Sequence, residues 1–262
     1  MHACRQHINR LGFTLVELSI VLVIIGLLIG GILAGQSLIE STKINAQVAQ
    51  IQQFDAAVMA FKAKYKFLPG DAPAFGGNGN GAVALKCCGG SYISIFSYVG
   101  GSEIASFWGN LFPSSFPGSG SFLPPTTTGS SKNVPTAKMG KSNSFIIAEA
   151  YGPGASQSLS PPSNFYAILG STQAQTQLYG DRYQFSTPDS TNSAATPLDA
   201  LALENKMDDG NALTGNVLSG GLDGILTTNS SCNNLATGVY ATTQTYVCTP
   251  LIRIGGSAGN PL

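Results

Sequence analysis

A long apolar segment near the N-terminus constrains this chain more than any other feature. Residues 13–34 read FTLVELSIVLVIIGLLIGGILA, and Glu17 is the one charged residue among them. At 1.5 Å per residue, such a helix is about long enough to cross the hydrocarbon core of a bilayer. A carboxylate inside a spanning helix costs roughly 2.5–3.5 kcal/mol on insertion scales, so by default it indicates a function.

The flanking residues predict the orientation of this segment and exclude some simpler signals. Arg5 and Arg10 precede it, which predicts a cytoplasmic N-terminus and an exported C-terminal part. An ordinary signal peptide has a shorter apolar core that ends in a small-x-small cleavage site. A lipoprotein signal is excluded because Gln36 stands where the lipidated cysteine would have to be. A simple signal anchor would leave Glu17 without a purpose.

The sequence GFTLVE at residues 12–17, placed just after the cationic segment, closely resembles the signature of type IV pilins and of the pseudopilins of type II secretion. The resemblance implies that a membrane aspartic peptidase, the prepilin peptidase, cuts after Gly12 and that the new amine of Phe13 is methylated. It also implies that Glu17 pairs with the Phe13 amine of the next subunit and sets the axial register of a filament. Leu11 departs from the pattern, in which a basic or polar residue commonly precedes the glycine.

The residues after the apolar segment predict that the same helix continues as an amphipathic one. Apolar side chains recur every three or four positions, at Ile44, Val48, Ile51, Phe54, Val58, Phe61 and Tyr65. Polar residues, among them Gln47, Gln50 and Asp55, mostly occupy the other faces. Pro69 and Gly70 then end the helix, because proline cannot continue its hydrogen-bond ladder.

These features divide the chain into four parts. We expect a prepilin leader at 1–12, the transmembrane part of the helix at 13–35, its amphipathic part at 36–68 and an extracytoplasmic globular pilin-like domain at 69–262. Within the last part we expect a flexible Gly/Asn-rich stretch at 76–81, short helices near 103–112 and 197–207, and strands at 144–151, 165–170, 178–185 and 246–254. The expected fold class is α+β, with the long helix packed against a C-terminal antiparallel sheet.

The five cysteines leave the disulfide pairing open. Cys4 lies in the leader, and the four others permit three connectivities. The pilin resemblance implies a bond between Cys232 and Cys248, since a C-terminal disulfide loop occurs widely in pilins. The adjacent Cys87 and Cys88 stay unassigned.

One acidic cluster has the composition of an ion site. Asp208 and Asp209 precede a glycine and an asparagine, and acidic loops with a glycine supply the oxygens that calcium needs. The spacing is not that of an EF-hand, and the same residue types dominate ordinary helix-ending turns. The sequence therefore favours a simple turn here, with a calcium ion at Asp208 and Asp209 as the alternative and the one cofactor that the sequence suggests.

The composition argues against other function classes. Both histidines precede the cleavage point, which removes histidine-based catalytic sites from the mature chain, and we do not expect an enzyme. The formal net charge of zero argues against nucleic acid as a partner. By resemblance, the partners are other pilin subunits, the prepilin peptidase and an inner-membrane assembly platform. A pseudopilin anchored in the inner membrane, with its domain in the periplasm, and a minor surface pilin with adhesive loops remain as alternatives.

Overall fold

The computed structural model describes residues 14–83, 97–99, 103–112, 135–140, 145–151, 163–170, 182–184, 193–220, 231–234 and 236–256. Its contacts separate two units, Met1–Thr42 and Lys43–Leu262. The described helices are α1 (Leu15–Tyr65), α2 (Glu103–Leu111) and α3 (Pro197–Met207). The described strands are β1 (Ser97–Val99), β2 (Phe145–Tyr151), β3 (Ser163–Leu169), β4 (Arg182–Gln184), β5 (Val217–Gly220) and β6 (Thr249–Arg253). The α+β class predicted from the sequence is confirmed.

Four strands of the second unit form one antiparallel sheet in the order β2-β3-β6-β5. Tyr166 lies opposite Ala148 on one side and opposite Ile252 on the other, so β3 is a central strand. Every residue from Asn164 to Leu169 is buried, so both faces of this strand are covered. A separate pair joins β1 to β4, also antiparallel.

The strand predictions gave the positions of most strands correctly but not their lengths. The segments expected at 144–151, 165–170 and 246–254 contain β2, β3 and β6. The expected strand at 178–185 is described only as β4, three residues long. The sequence analysis missed β5, because its four residues, VLSG, are too few to show an alternating pattern between loops rich in asparagine, serine and glycine.

An aromatic cluster joins α1 to α2 and to the sheet. The Phe54 ring lies 4.9 Å from that of Trp108 and 5.9 Å from that of Tyr166, measured between centroids. Phe107 and Trp108 are completely buried, so the aromatic face of α2 packs on the core as predicted. Contacts of this kind add about 0.5–1.5 kcal/mol per pair beyond the apolar area that they bury.

Three polar residues of α1 that were placed outside its apolar stripe are also buried, because other segments cover them. Gln47 accepts hydrogen bonds from the amides of Lys138 (2.8 Å) and Met139 (3.3 Å). Gln50 donates to the carbonyl of Thr136 at 2.9 Å. Asp55 accepts from the Gly255 amide at 2.8 Å and so ties α1 to the end of the described chain. Each buried polar group is thus compensated by a backbone partner.

The Gly/Asn-rich stretch at 76–81, which the sequence analysis took as flexible, is held by buried carboxylates. The Asp71 carboxylate accepts from the amides of Asn80 (3.0 Å) and Gly81 (2.9 Å), and Glu103 accepts from the Asn78 amide (2.9 Å). A side chain at Gly77 would place its Cβ 2.1 Å from the Asp71 carbonyl carbon, so only glycine fits this approach. The prediction of flexibility was wrong because it did not take into account the hydrogen bonds to Asp71, just before the loop, and to Glu103 in α2.

The aromatic cluster generates the first prediction. We expect Phe54→Ala to lower the free energy of unfolding of the domain by about 3–5 kcal/mol, because it leaves a cavity against Trp108 and Tyr166. Guanidinium unfolding followed by tryptophan fluorescence measures this loss. The neighbouring exposed residue provides the control, and Gln53→Ala should change stability by no more than about 0.5 kcal/mol. Equal losses for the two variants would show that Phe54 does not anchor the core.

Candidate functional site

The candidate site begins at the N-terminal end of α1. Gly12 and Phe13, the predicted cleavage pair, lie outside the described residues, so their processing stays a prediction. Glu17 lies in the first turn of α1. From Leu15 to Ile39 it is the one acidic or basic residue, and Glu40 is the next.

Thr14 and Glu17 cap the first turn of the helix reciprocally. The Glu17 carboxylate accepts hydrogen bonds from the amide and the hydroxyl of Thr14, both at 2.8 Å, through the same oxygen, Oε2. In return the Thr14 hydroxyl accepts from the Glu17 amide at 3.3 Å. This is a capping box, in which a Thr and a Glu three positions apart satisfy each other's backbone donors. The Thr-x-x-Glu spacing of a capping box is visible in the sequence, where Glu17 was interpreted only as a charge in the membrane.

The first unit exposes a continuous apolar helix surface. Every large apolar side chain from Leu15 to Leu33 is 46–88% exposed. A soluble helix buries at least one such face, whereas every described side chain of residues 14–33 is exposed. By length and composition, this helix is suited to crossing a membrane. Lipid or other protein chains must therefore cover this surface.

Four glycines interrupt this surface at helical spacing. Gly26 and Gly30 are four residues apart, as are Gly31 and Gly35, and each would carry a Cβ with no other atom within 4 Å. No contact among the described residues therefore requires glycine at these positions. Small residues at this spacing let another helix approach closely, although glycine is also common in membrane helices generally.

The C-terminal cysteines form the disulfide that the pilin resemblance implies. Cys232 and Cys248 are bonded, with a Cα–Cα distance of 5.0 Å, and both are completely buried. Backbone hydrogen bonds from Cys248 to Ala195 fasten the segment to the chain just before α3. Cys87 and Cys88 lie outside the described residues.

The predicted ion-site residues lie at the C-terminal end of α3, where the structure adds a third carboxylate, Glu204. One oxygen each of Glu204, Asp208 and Asp209 lies within 4.8 Å of the other two. Asp208 accepts from the amides of Asn216 and Val217, the latter at 2.8 Å. Asp209 accepts from the Asn211 amide (2.9 Å) and the Thr214 hydroxyl (2.7 Å).

The surroundings shift the pKa values of Glu204 and Asp209 in opposite directions. Burial raises the pKa of Glu204 to about 8, the hydrogen bond from the Tyr240 hydroxyl opposes that rise, and the charges of Asp208 and Asp209 add to it. The hydrogen bond from the Thr214 hydroxyl, followed by that from the Asn211 amide, lowers the pKa of Asp209. The sequence did not point to Glu204, because it lies one helical turn before the acidic pair and on the buried face of α3. The one available signal was its i, i+4 spacing to Asp208.

Comparison with known proteins identifies the N-terminal segment alone. Residues 8–33 match the family model described as the prokaryotic N-terminal methylation motif. This motif is the type IV pilin and pseudopilin signature, so the resemblance noted in the sequence is confirmed. No curated protein and no solved structure matches the chain.

The disulfide yields the second prediction. Replacing both cysteines, as Cys232→Ala with Cys248→Ala, should cost about 3 kcal/mol of stability, because the crosslink closes a loop between residues 16 apart. Thermal unfolding should show a melting temperature lowered by roughly 6–12 °C. Reductant should lower the melting temperature of the wild type similarly and leave the double variant unchanged. A double variant as stable as the oxidised wild type would contradict the argument.

Proposed function

We propose that this protein is a subunit of a type IV pilus-like filament, more specifically a pseudopilin of a type II secretion system. The observation that carries the proposal is the apolar surface of residues 15–33, exposed along its whole length in a segment that matches the methylation motif. In a filament subunit, lipid would cover this surface before assembly, and the helices of neighbouring subunits would cover it afterwards. The role is structural, and the match to a pilin-type motif supports a subunit rather than an enzyme.

In this proposal the prepilin peptidase cuts after Gly12 in the inner membrane and frees the amine of Phe13. The domain that follows α1 is then exported to the periplasm, and an inner-membrane platform adds the subunit to the filament base. The Glu17 carboxylate lies at the N-terminal end of α1 and contacts Thr14, the residue directly after Phe13. A carboxylate held there is well placed for a cationic N-terminus from a neighbouring subunit.

The electrostatic argument for Glu17 concerns the cost of a single charge in lipid. An isolated carboxylate loses its hydration, and the two Thr14 hydrogen bonds compensate only part of that loss. An amine at contact distance attracts it strongly in a low dielectric, whereas either charge alone is costly. Pairing between subunits would therefore favour one axial register over all others.

The third prediction tests this pairing. We expect Glu17→Gln to insert into the membrane and to be processed normally, but to enter filaments at least about tenfold less, equivalent to about 1.4 kcal/mol. Immunoblots of the isolated filament fraction, normalised to the membrane pool, measure the difference. Glu40→Gln is the matched control, because Glu40 is an exposed acid on the same helix. Incorporation of the Glu17 variant within twofold of the wild type would exclude the charge-pair mechanism.

The fourth prediction tests processing. Gly12→Ala should leave the leader attached, because the peptidase requires a close backbone approach that a side chain obstructs. Mass spectrometry of the N-terminal peptide from membranes distinguishes the uncut, cut and methylated forms. A normally trimmed Gly12→Ala chain would remove the basis for assigning the cleavage point.

The location of the filament separates the two pilin classes. Mechanical shearing of host cells, followed by detection of the domain with an antibody, should leave the protein in the envelope fraction if it is a pseudopilin. Recovery in the sheared fibre fraction would overturn the pseudopilin assignment in favour of a surface pilin, while leaving the filament-subunit proposal intact.

A further inference from the structure

The loop at residues 76–81 contains the two Asn-Gly pairs of the chain, Asn78-Gly79 and Asn80-Gly81. In such a pair the amide nitrogen of the glycine can attack the asparagine side chain with little hindrance, because glycine has no Cβ. Both asparagines are exposed, so water reaches them, and a glycine flanks each of them on both sides. Their intrinsic reactivity is therefore the same, and a difference between them has to come from the fold.

Asp71 accepts hydrogen bonds from both of the glycine amides, but through different atoms. The Gly81 amide donates to the buried carboxylate, at Oδ2, over 2.9 Å. The Gly79 amide donates to the backbone carbonyl of Asp71, also over 2.9 Å. A carboxylate can take a proton from its partner as a general base, whereas a carbonyl oxygen cannot do so at neutral pH. Of the two attacking amides, the one of Gly81 thus has a base within hydrogen-bond reach.

The side-chain carbonyl of Asn80 is polarised by a backbone donor. Its Oδ1 accepts from the Ala82 amide at 2.9 Å, so the side chain folds over the intervening Gly81. This donor points at the oxygen on which negative charge develops during an attack, as the donors of an oxyanion hole do. Asn78 Oδ1 accepts the equivalent bond from the Asn80 amide, also at 2.9 Å. The two Asn-Gly pairs therefore share this donor and differ in the base.

The space around the two glycines favours the same pair. A Cβ at Gly81 would meet no other atom within 4 Å, whereas a Cβ at Gly79 would lie 3.0 Å from Cε1 of Phe67. Gly79 is thus packed against a ring, while Gly81 has room for the small movement that brings its nitrogen to the side chain of Asn80.

We propose that Asn80 is a self-modification site, deamidated with Asp71 as the general base. Asp71 Oδ2 takes the amide proton of Gly81 while that nitrogen forms a bond to Asn80 Cγ. The bond between Cγ and Nδ2 then breaks, and Asp71 returns the proton to the leaving nitrogen, which departs as ammonia. The succinimide adds one water molecule and opens at either carbonyl, which leaves aspartate or isoaspartate at position 80. The net reaction consumes water and releases ammonia, and it needs no other reactant.

The modification would loosen the loop from the sheet. The Asn80 amide donates to Asp71 Oδ1 at 3.0 Å, so a new carboxylate at position 80 adds a like charge close to that of Asp71. Isoaspartate also lengthens the main chain next to Gly81, whose carbonyl accepts from Asn164 of β3 at 3.0 Å. We therefore expect the modified chain to have a lower melting temperature than the fresh chain.

The test compares the two asparagines within one peptide. The full-length chain in detergent micelles is incubated at neutral pH in water enriched in heavy oxygen and then digested with trypsin in ordinary water. Cleavage after Lys66 and Lys86 releases residues 67–86, which contain both Asn-Gly pairs. Mass spectrometry then measures the label at each position, which excludes deamidation during the digestion. Asn80 should react at least about tenfold faster than Asn78, a smaller factor than the roughly 10²–10⁴ that general bases contribute in enzymes.

Two variants and an unfolded sample assign the base. Asp71→Asn still offers the loop amides an acceptor but cannot take their proton, so it should lower the ratio of the Asn80 rate to the Asn78 rate at least about fivefold. Glu103→Gln is the matched control, because Glu103 is the other carboxylate that binds this loop, at the Asn78 amide, and it should leave the ratio unchanged. In denaturant the two asparagines of the wild type should react equally.

The dependence on hydroxide provides a readout that a merely structural role of Asp71 would not change. Between neutral and mildly alkaline pH, the Asn78 rate should rise in proportion to the hydroxide concentration, because the Gly79 amide has no carboxylate to take its proton. The Asn80 rate should rise much less, since its base is already ionised. In Asp71→Asn, Asn80 should acquire the same hydroxide dependence as Asn78, even if the variant opens the loop and raises both rates.

Three results would overturn the proposal. Equal rates for Asn78 and Asn80 in the folded wild type would show that Asp71 does not act as a base. The same conclusion would follow from an equal hydroxide dependence of the two rates in the wild type. A rate ratio that persists in denaturant would assign the difference to the sequence instead of the fold. None of these outcomes bears on Gly12 or Glu17, so the filament proposal stands or falls separately.

Discussion

Removal of apolar side chains from water governs both units of this protein, but the two halves of α1 satisfy that requirement in different ways. From Ile44 to Phe61 the helix places its apolar stripe against its own domain, where Phe54 meets Trp108 and Tyr166. From Leu15 to Leu33, by contrast, every large apolar side chain is exposed. At roughly 25 cal/mol per Å², leaving so much apolar area in water is prohibitive, so the first unit requires a membrane or other subunits. Membrane anchoring fits that requirement.

Carboxylates are the second constraint, because the chain has few charges and buries several of them. Asp71, Asp55 and Asp208 each accept backbone amides from a segment distant in sequence or across a turn. The hydrogen bonds compensate the cost of burying the charge, and they also hold a loop or a terminus in place. Glu204 is different, because one of its oxygens has no such partner. Within the described part of the chain, that contrast distinguishes a structural carboxylate from a candidate ligand.

Local and periodic features could be predicted from the sequence, whereas contacts between distant segments could not. The bounds of α3 followed from the Thr196 cap, Pro197 and Asp199, which all act within one turn. The apolar stripe of α1 followed from its spacing. The burial of Gln47, the fixing of the 76–81 loop by Asp71 and Glu103, and the short strand β5 all depend on partners that no local pattern specifies. Among the candidate site residues, Asp208 and Asp209 were visible as a cluster, while the burial of Glu204, four residues before Asp208, depends on distant segments such as the one that carries Tyr240.

In the proposed filament, the contact between Glu17 and Thr14 has a physical consequence for assembly. In the single chain Glu17 Oε2 is already bonded to the amide and hydroxyl of Thr14, which compensates part of the cost of a charge in lipid. An amine arriving from another subunit must therefore add to these bonds or displace them. The second oxygen of the carboxylate leaves room for addition, since an ionised carboxylate offers about four acceptor sites. The capping box would then hold the carboxylate in one orientation before the partner arrives, and less side-chain entropy would be lost on pairing. In the proposed filament, Thr14 would thus be a positioning residue for Glu17.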